Sequence, residues 1–239
     1  MRTQATSGLD GTGLTFYSGI ALAFAATVFV GFAPTFYLTP VFATPALTGL
    51  AHLHGVVFTA WIAIFIAQTF LVARGRTDLH QRLGIAGAGV AAAMIVVGLM
   101  TAFAAAARGF TPPNGPPPLV FLAIPFFDIV AFAGLVGAGI LRRTTPETHK
   151  RLMVMATIAI IDAAVARLPV PIEMSPPVFF ALSDLFIVAV IVHDIMVRGR
   201  PHRATVAGGL WVLALQVIRL IVAETGPWLG FARWITGVA

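Results

Sequence analysis

The sequence predicts an all-α fold: a polytopic membrane bundle of seven transmembrane helices, with the N-terminus in the cytoplasm and the C-terminus outside. Three observations carry this. Of 239 residues, 59% are hydrophobic and only 10% charged, where a soluble domain carries about 25% charged residues. No charged side chain occurs between Asp10 and Arg74. The chain also divides into seven apolar runs of about 20 residues, the length that crosses a hydrocarbon core as a helix.

The runs cover residues 14–33, 47–73, 83–107, 119–141, 152–168, 178–197 and 204–223, all within one domain spanning 1–239. The first is wholly uncharged and follows a polar stretch to Gly13 without a small-residue cleavage site, so it reads as a retained span. The second opens with His52 and His54. The third and fourth are rich in small residues (Gly84, Gly87, Gly89 and Ala91, then Ala133, Gly134, Gly137 and Ala138) that let helix backbones approach where lipid supplies no hydrophobic force. Prolines at 112, 113 and 116–118, and again at 169, 171, 176 and 177, punctuate the loops on either side of spans 4 and 5. The fifth run is short and contains Asp162. The sixth holds Asp184, His193 and Asp194, and the seventh Gln216 and Arg219.

The net charge is +6, with 15 basic residues against 9 acidic ones. Ten of the basic residues (Arg74, Arg76, Arg82, Arg142, Arg143, Lys150, Arg151, Arg198, Arg200 and Arg203) fall in the loops after spans 2, 4 and 6. Only Arg108, Arg167 and Arg233 fall on the other side. That asymmetry orients the chain and places the basic loops against anionic headgroups of the bilayer. The basic balance therefore points to lipid and away from nucleic acid. With no cysteine, disulfides, thiolate metal sites, iron–sulfur clusters and cysteine nucleophiles are excluded.

The three basic hairpins share a pattern. His80-Gln-Arg82-Leu83-Gly84, His149-Lys-Arg151-Leu152-Met153 and His202-Arg203 each place a His and then an Arg where the chain returns into the membrane. Such self-similarity reads as three related hairpins after one extra helix. Through the first two motifs and His54-Gly55, the region of spans 2 to 5 resembles a group of bacterial inner-membrane proteins of unknown function. The resemblance implies a bacterial inner-membrane location and no particular chemistry. The His-x-Arg-x-Gly turn also looks like turns in b-type cytochrome and ferric-reductase-like membrane families, whose haem is held by pairs of His inside the bundle.

Ionisable residues at membrane depth are functional candidates by default. Asp128, Asp162, Asp184, Gln216 and Arg219, with His54 and Arg167, all fall in the outer half under this orientation. His52 and His54, two residues apart, point about 200° from each other, so a bis-His haem does not fit that end. His54 shares a stripe with Phe58, Trp61, Phe65 and Gln68 and is the inward one. One His with Asp128, Asp162 and Asp184 is a candidate site for a metal ion. The same carboxylates could instead pair with Arg167 and Arg219, Gln216 filling the remaining hydrogen bonds, as a purely structural network. At the cytoplasmic end, His193 with His80 or His149 forms a candidate haem b site flanked by arginines. Phosphate-binding loops, His-Glu-x-x-His and nucleophile elbows are absent, and span 7 has no Lys to carry a retinal.

Two functional classes follow. One is a metal- or haem-dependent membrane redox protein acting on a lipophilic, quinone-like small molecule. The other is a non-enzymatic component (accessory subunit, assembly factor or transporter) that meets a membrane-protein partner.

Overall fold

The computed structural model describes residues 15–112 and 115–238. The polar stretch to Gly13, the start of the first apolar run and Pro113 lie outside them. Every regular element among the described residues is helical.

Local signals set most of the boundaries. Helix α1 (Phe16–Phe32) begins where Thr15 Oγ1 accepts the Ser18 amide at 3.3 Å, and it continues through a π-helical turn, Ala33–Tyr37, and a short α2 (Thr39–Phe42). Thr48 caps α3 (Gly49–Ala73) in the same way. Helix α4 (Thr77–Ala107) has 31 residues and starts six residues before the apolar run. Its first turn is polar and belongs to the interface, a region that hydropathy does not register. The next span is broken into α5 (Pro118–Phe121) and α6 (Ala123–Leu141). The break, at Leu122, falls three residues before Pro125, whose missing amide leaves the Phe121 carbonyl without its helical donor. Helix α7 (Pro146–Val165), α8 (Pro176–Arg198) and α9 (Arg203–Val222) follow. Gly199 closes α8 with φ 73°, a left-handed conformation that suits glycine. An eleven-residue amphipathic α10 (Gly226–Thr236) lies against α4 and α5, anchored by a hydrogen bond from Trp228 Nε1 to the Leu119 carbonyl.

Six stretches are long and apolar enough to cross a membrane: Phe16–Tyr37, Gly49–Ala73, Thr77–Ala107, Pro118–Leu141, Pro176–Arg198 and Arg203–Val222. The chain is a multi-pass membrane protein. Large apolar side chains such as Phe29, Val96, Leu185, Met196 and Ile221 are exposed on the bundle surface, where they would contact lipid.

Helix α7 carries Glu147, Lys150, Arg151 and Asp162, and is too charged to count among the six. Yet it is the most enclosed helix of all, with twelve of its 20 residues buried. The contacts explain this. Helices α1, α3, α4, α6 and α7 form a closed ring in which each packs on the next, and α8 and α9 cover the other side of α7. Trp61 of α3 fills the centre of the ring. It donates Nε1–H to Thr157 Oγ1 of α7 at 3.2 Å and meets Phe132 of α6 edge-on at 5.1 Å. An interhelical hydrogen bond of this kind contributes roughly 0.6–2 kcal/mol. The small residues divide in use. Gly87 packs on Ile64 and Gly134 on Trp211, whereas Gly89 and Gly137 face open space.

Candidate functional site

Two polar clusters and one pair of histidines lie within the bundle. The end that carries Arg74, Arg142 and Arg198 is called the basic end, and the opposite one the far end.

The far-end cluster gathers residues from four helices. Arg219 of α9, 1% exposed, donates one terminal nitrogen to Asp128 Oδ1 of α6 and to the Ile124 carbonyl at 3.3 Å. Its other terminal nitrogen reaches Asp162 Oδ2 of α7 at 3.4 Å. The guanidinium carbon sits 4.3 Å from the ring centre of Phe180 on α8. Gln216, three residues before Arg219 and on the same face of α9, donates to Asp184 Oδ1 of α8 at 3.1 Å. Two buried polar atoms in this cluster have no partner: Asp162 Oδ1 and Arg219 Nε.

Asp128, Asp162, Asp184, Gln216 and Arg219 thus meet at the junction of α6, α7, α8 and α9. The other two expected members do not join them. Arg167, in the turn just beyond α7, bonds the Ala163 carbonyl and lies over the Phe32 ring. His54 stacks on Phe58 with ring centres 4.0 Å apart and shares no hydrogen bond with the aspartates. Among the described residues, no three of His, Asp and Glu come together in a set that could hold a metal ion.

At the basic end, Arg151 and Asp194 form a second buried network. Arg151 Nε bonds Asp194 Oδ1 at 2.9 Å, a terminal nitrogen bonds the same carboxylate, and the other bonds the Glu147 carbonyl at 2.8 Å and Glu147 Oε2 at 2.6 Å. Asp194 Oδ2 also accepts the Thr205 hydroxyl at 2.5 Å and the His202 amide at 3.0 Å. Lys150 holds the second oxygen of Glu147 at 2.6 Å. The Glu147 carboxyl is raised by burial, but the hydrogen bonds from Lys150 and Arg151 outweigh that and hold it at about 2. In sequence, Arg151 reads as one more basic loop residue. The available signal was its spacing of four from Glu147 on a helix.

The two full histidine motifs occupy equivalent positions. His80 is the fourth residue of α4 and His149 the fourth of α7, each with an acidic residue, Asp78 or Glu147, two positions earlier. Their rings face one another with centres 6.2 Å apart and planes at 81°. His149 Nδ1 lies 2.8 Å from the Gly139 carbonyl. A carbonyl only accepts, so Nδ1 carries a proton and donates it to Gly139. His80 Nδ1 and Gln68 Oε1 are buried without partners.

The last residue of the second motif supports this geometry, since Met153 packs directly on Gly139, whereas a side chain at Gly84 would make only an ordinary contact with the Gln68 amide at 3.5 Å. The third copy diverges. His202 precedes α9 and its Nδ1 caps the Ala204 amide at 3.0 Å. His193, expected opposite His80 or His149, lies flat on Phe16 at 3.8 Å and edge-on to Tyr17.

Comparison with family models, curated proteins and solved structures gives no match.

Proposed function

We propose that the protein is a seven-span redox protein of the bacterial inner membrane, N-terminus in the cytoplasm, with a haem b site at His80 and His149. The observation that carries the reading is the pairing of these two rings at 6.2 Å with the His149 proton committed to a backbone carbonyl. A hydrogen bond from the second ring nitrogen to a carbonyl is how a metal-ligating imidazole is oriented. Two imidazoles with no third donor among the described residues would hold a haem rather than a tetrahedral ion, which needs more ligands. The unpartnered His80 Nδ1 and Gln68 Oε1 in the same place favour a polar occupant.

Bound there, haem supplies one-electron transfer. The chain's own part is to orient His149 through Gly139 and to set exposed Arg82, Arg142 and Arg143 at the same end. A lipophilic, quinone-like molecule in the bilayer is the partner class that a site within the bundle would serve.

The seventh span lies in α7. Its 20 residues measure about 30 Å; Glu147 and Lys150, near its start, stay partly exposed at the basic end, while Arg151 and Asp162 are sheltered by four neighbouring helices. An odd span count with basic loops after spans 2, 4 and 6 puts those loops in the cytoplasm.

An absorption spectrum of the purified protein, expressed with haem supply, tests the reading. A low-spin haem spectrum is expected, lost in His80→Ala and His149→Ala and retained in His193→Ala. A folded, colourless protein would overturn it. The second reading, a non-enzymatic component held by structural ion pairs, is favoured by the closed Arg151–Asp194 network, in which every partner is satisfied.

A further inference from the structure

We propose that Asp128, Asp162 and Arg219 form a proton-binding site, with one exchangeable proton carried on Asp162 and reached from the aqueous phase at the far end of the bundle.

Charge balance supplies the first part. Two carboxylates face one guanidinium, and all three residues are at most 7% exposed. The surroundings contribute no second cation. Asp184 on α8 adds a further carboxyl, tied to neutral Gln216, and the neighbouring Ser183 hydroxyl is spent on the Phe179 carbonyl at 2.9 Å. Helix α1 contains no charged residue. Arg167, at the end of α7, is turned to Ala163 and Phe32, and His54 of α3 is stacked on Phe58. A net negative charge at membrane depth is costly, and a proton is the smallest species that removes it.

Geometry assigns the proton. Asp128 makes the close contact with Arg219, which also holds the Ile124 carbonyl beside it. Asp162 is engaged through one oxygen at 3.4 Å, and its other oxygen has no partner. Asp128 is therefore the permanent counter-ion and Asp162 the group that changes charge. The contrast with Arg151–Asp194 is direct: there both carboxylate oxygens and all three guanidinium nitrogens are used.

Access comes from a cleft of about 160 Å³ whose wall includes Ile124, Pro176, Arg219 and Glu224. It runs between the start of α6, the start of α8 and the end of α9. Glu224, just beyond α9, places an ionisable group on this path. Proton uptake takes the triad from a net charge of minus one to zero, and release returns the proton to water along the same path.

Infrared difference spectroscopy of the purified full-length protein across a pH titration tests this. The expected result is one band from a buried, protonated carboxyl that titrates and shifts in heavy water. Asp162→Asn should remove the band while keeping wild-type thermal stability, because the amide matches the neutral acid. Asp128→Asn should also remove it, since Asp162 then ionises to balance Arg219. Asp162→Glu should keep a band at a shifted position, and Asp184→Asn should leave it in place. His80→Ala should not change it, which separates this site from the haem reading. Absence of any protonated-carboxyl band in folded wild type, or its persistence in Asp162→Asn, would overturn the proposal. So would a large loss of thermal stability in Asp162→Asn, which marks an ionised, structural Asp162.

Discussion

Arg151 and Asp194 clamp α7 to α8 at the basic end, and neither has a hydrogen-bonding group left idle. Asp194 also receives the His202 amide and the Thr205 hydroxyl, so one carboxylate fixes the start of α9 as well. Both side chains are almost fully buried, Arg151 at 1% and Asp194 at 0% exposure.

Removing one partner leaves an uncompensated buried charge. Arg151→Ala and Asp194→Ala are each expected to cost about 3–5 kcal/mol. Replacing both residues by leucine should recover most of the loss. Thermal unfolding in detergent checks this. Single variants within about 1 kcal/mol of wild type, the range of an exposed pair, would contradict it.

Glu147 gives this end a pH dependence. Its carboxyl is held down, at about 2 against an ordinary value of 4.5, by hydrogen bonds from Lys150 and Arg151 that exceed the opposing effect of burial. A depressed folded value means that the contribution is complete above about 4.5 and is lost as pH falls towards about 2. The side chain is 48% exposed, so solvent screening keeps the effect small. Between pH 6 and 2, wild type should lose more thermal stability than Glu147→Gln. Parallel curves for the two proteins would refute the linkage.

Helix α1 crosses α7 at Gly31. A side chain there would run into the Ala164 backbone carbonyl, which cannot move aside as a side-chain tip can. Gly31→Ala should destabilise by about 1–3 kcal/mol, the usual cost of overpacking. Gly19 on the same helix has nothing within 4 Å of such an atom, and Gly19→Ala should be neutral or mildly stabilising. Equal stability of the two variants would show that the helices do not cross at Gly31.

The proposed count of seven spans would place the two ends of the chain on opposite sides of the membrane. A reporter active only in the cytoplasm, fused after Ala239, should be silent, whereas one inserted in the loop at 142–145 should be active. A strong signal after Ala239 would mean an even number of crossings, with α7 the helix to re-examine.

The chain's composition determined its class, and the apolar runs located six of the crossing helices to within a few residues at most boundaries. Hydrocarbon thickness is a one-dimensional constraint, and run length reports on it directly. The break at Leu122 likewise has a local cause in Pro125, because a missing amide acts within its own turn. The amphipathic α10 escaped notice: eleven residues are too few to register as a span, and its helical stripe lies in a proline- and glycine-containing tail.

Only the tertiary structure decided which polar groups meet. Depth along a helix can be counted from the sequence, and it brought Asp128, Asp162, Asp184, Gln216 and Arg219 to the same level. Direction around the axis depends on how helices pack, and this separated His54 and Arg167 from the aspartates. It also turned His80 towards His149 while His193 settled on Phe16. The charge on α7 shows the same limit most clearly. Hydropathy averages over all sides of a helix, so it undervalues one whose buried Arg151 and Asp162 are enclosed by α1, α6, α8 and α9 and matched by Asp194 and Arg219. What makes those charges tolerable is the position of partners far away in the chain, which no local window contains.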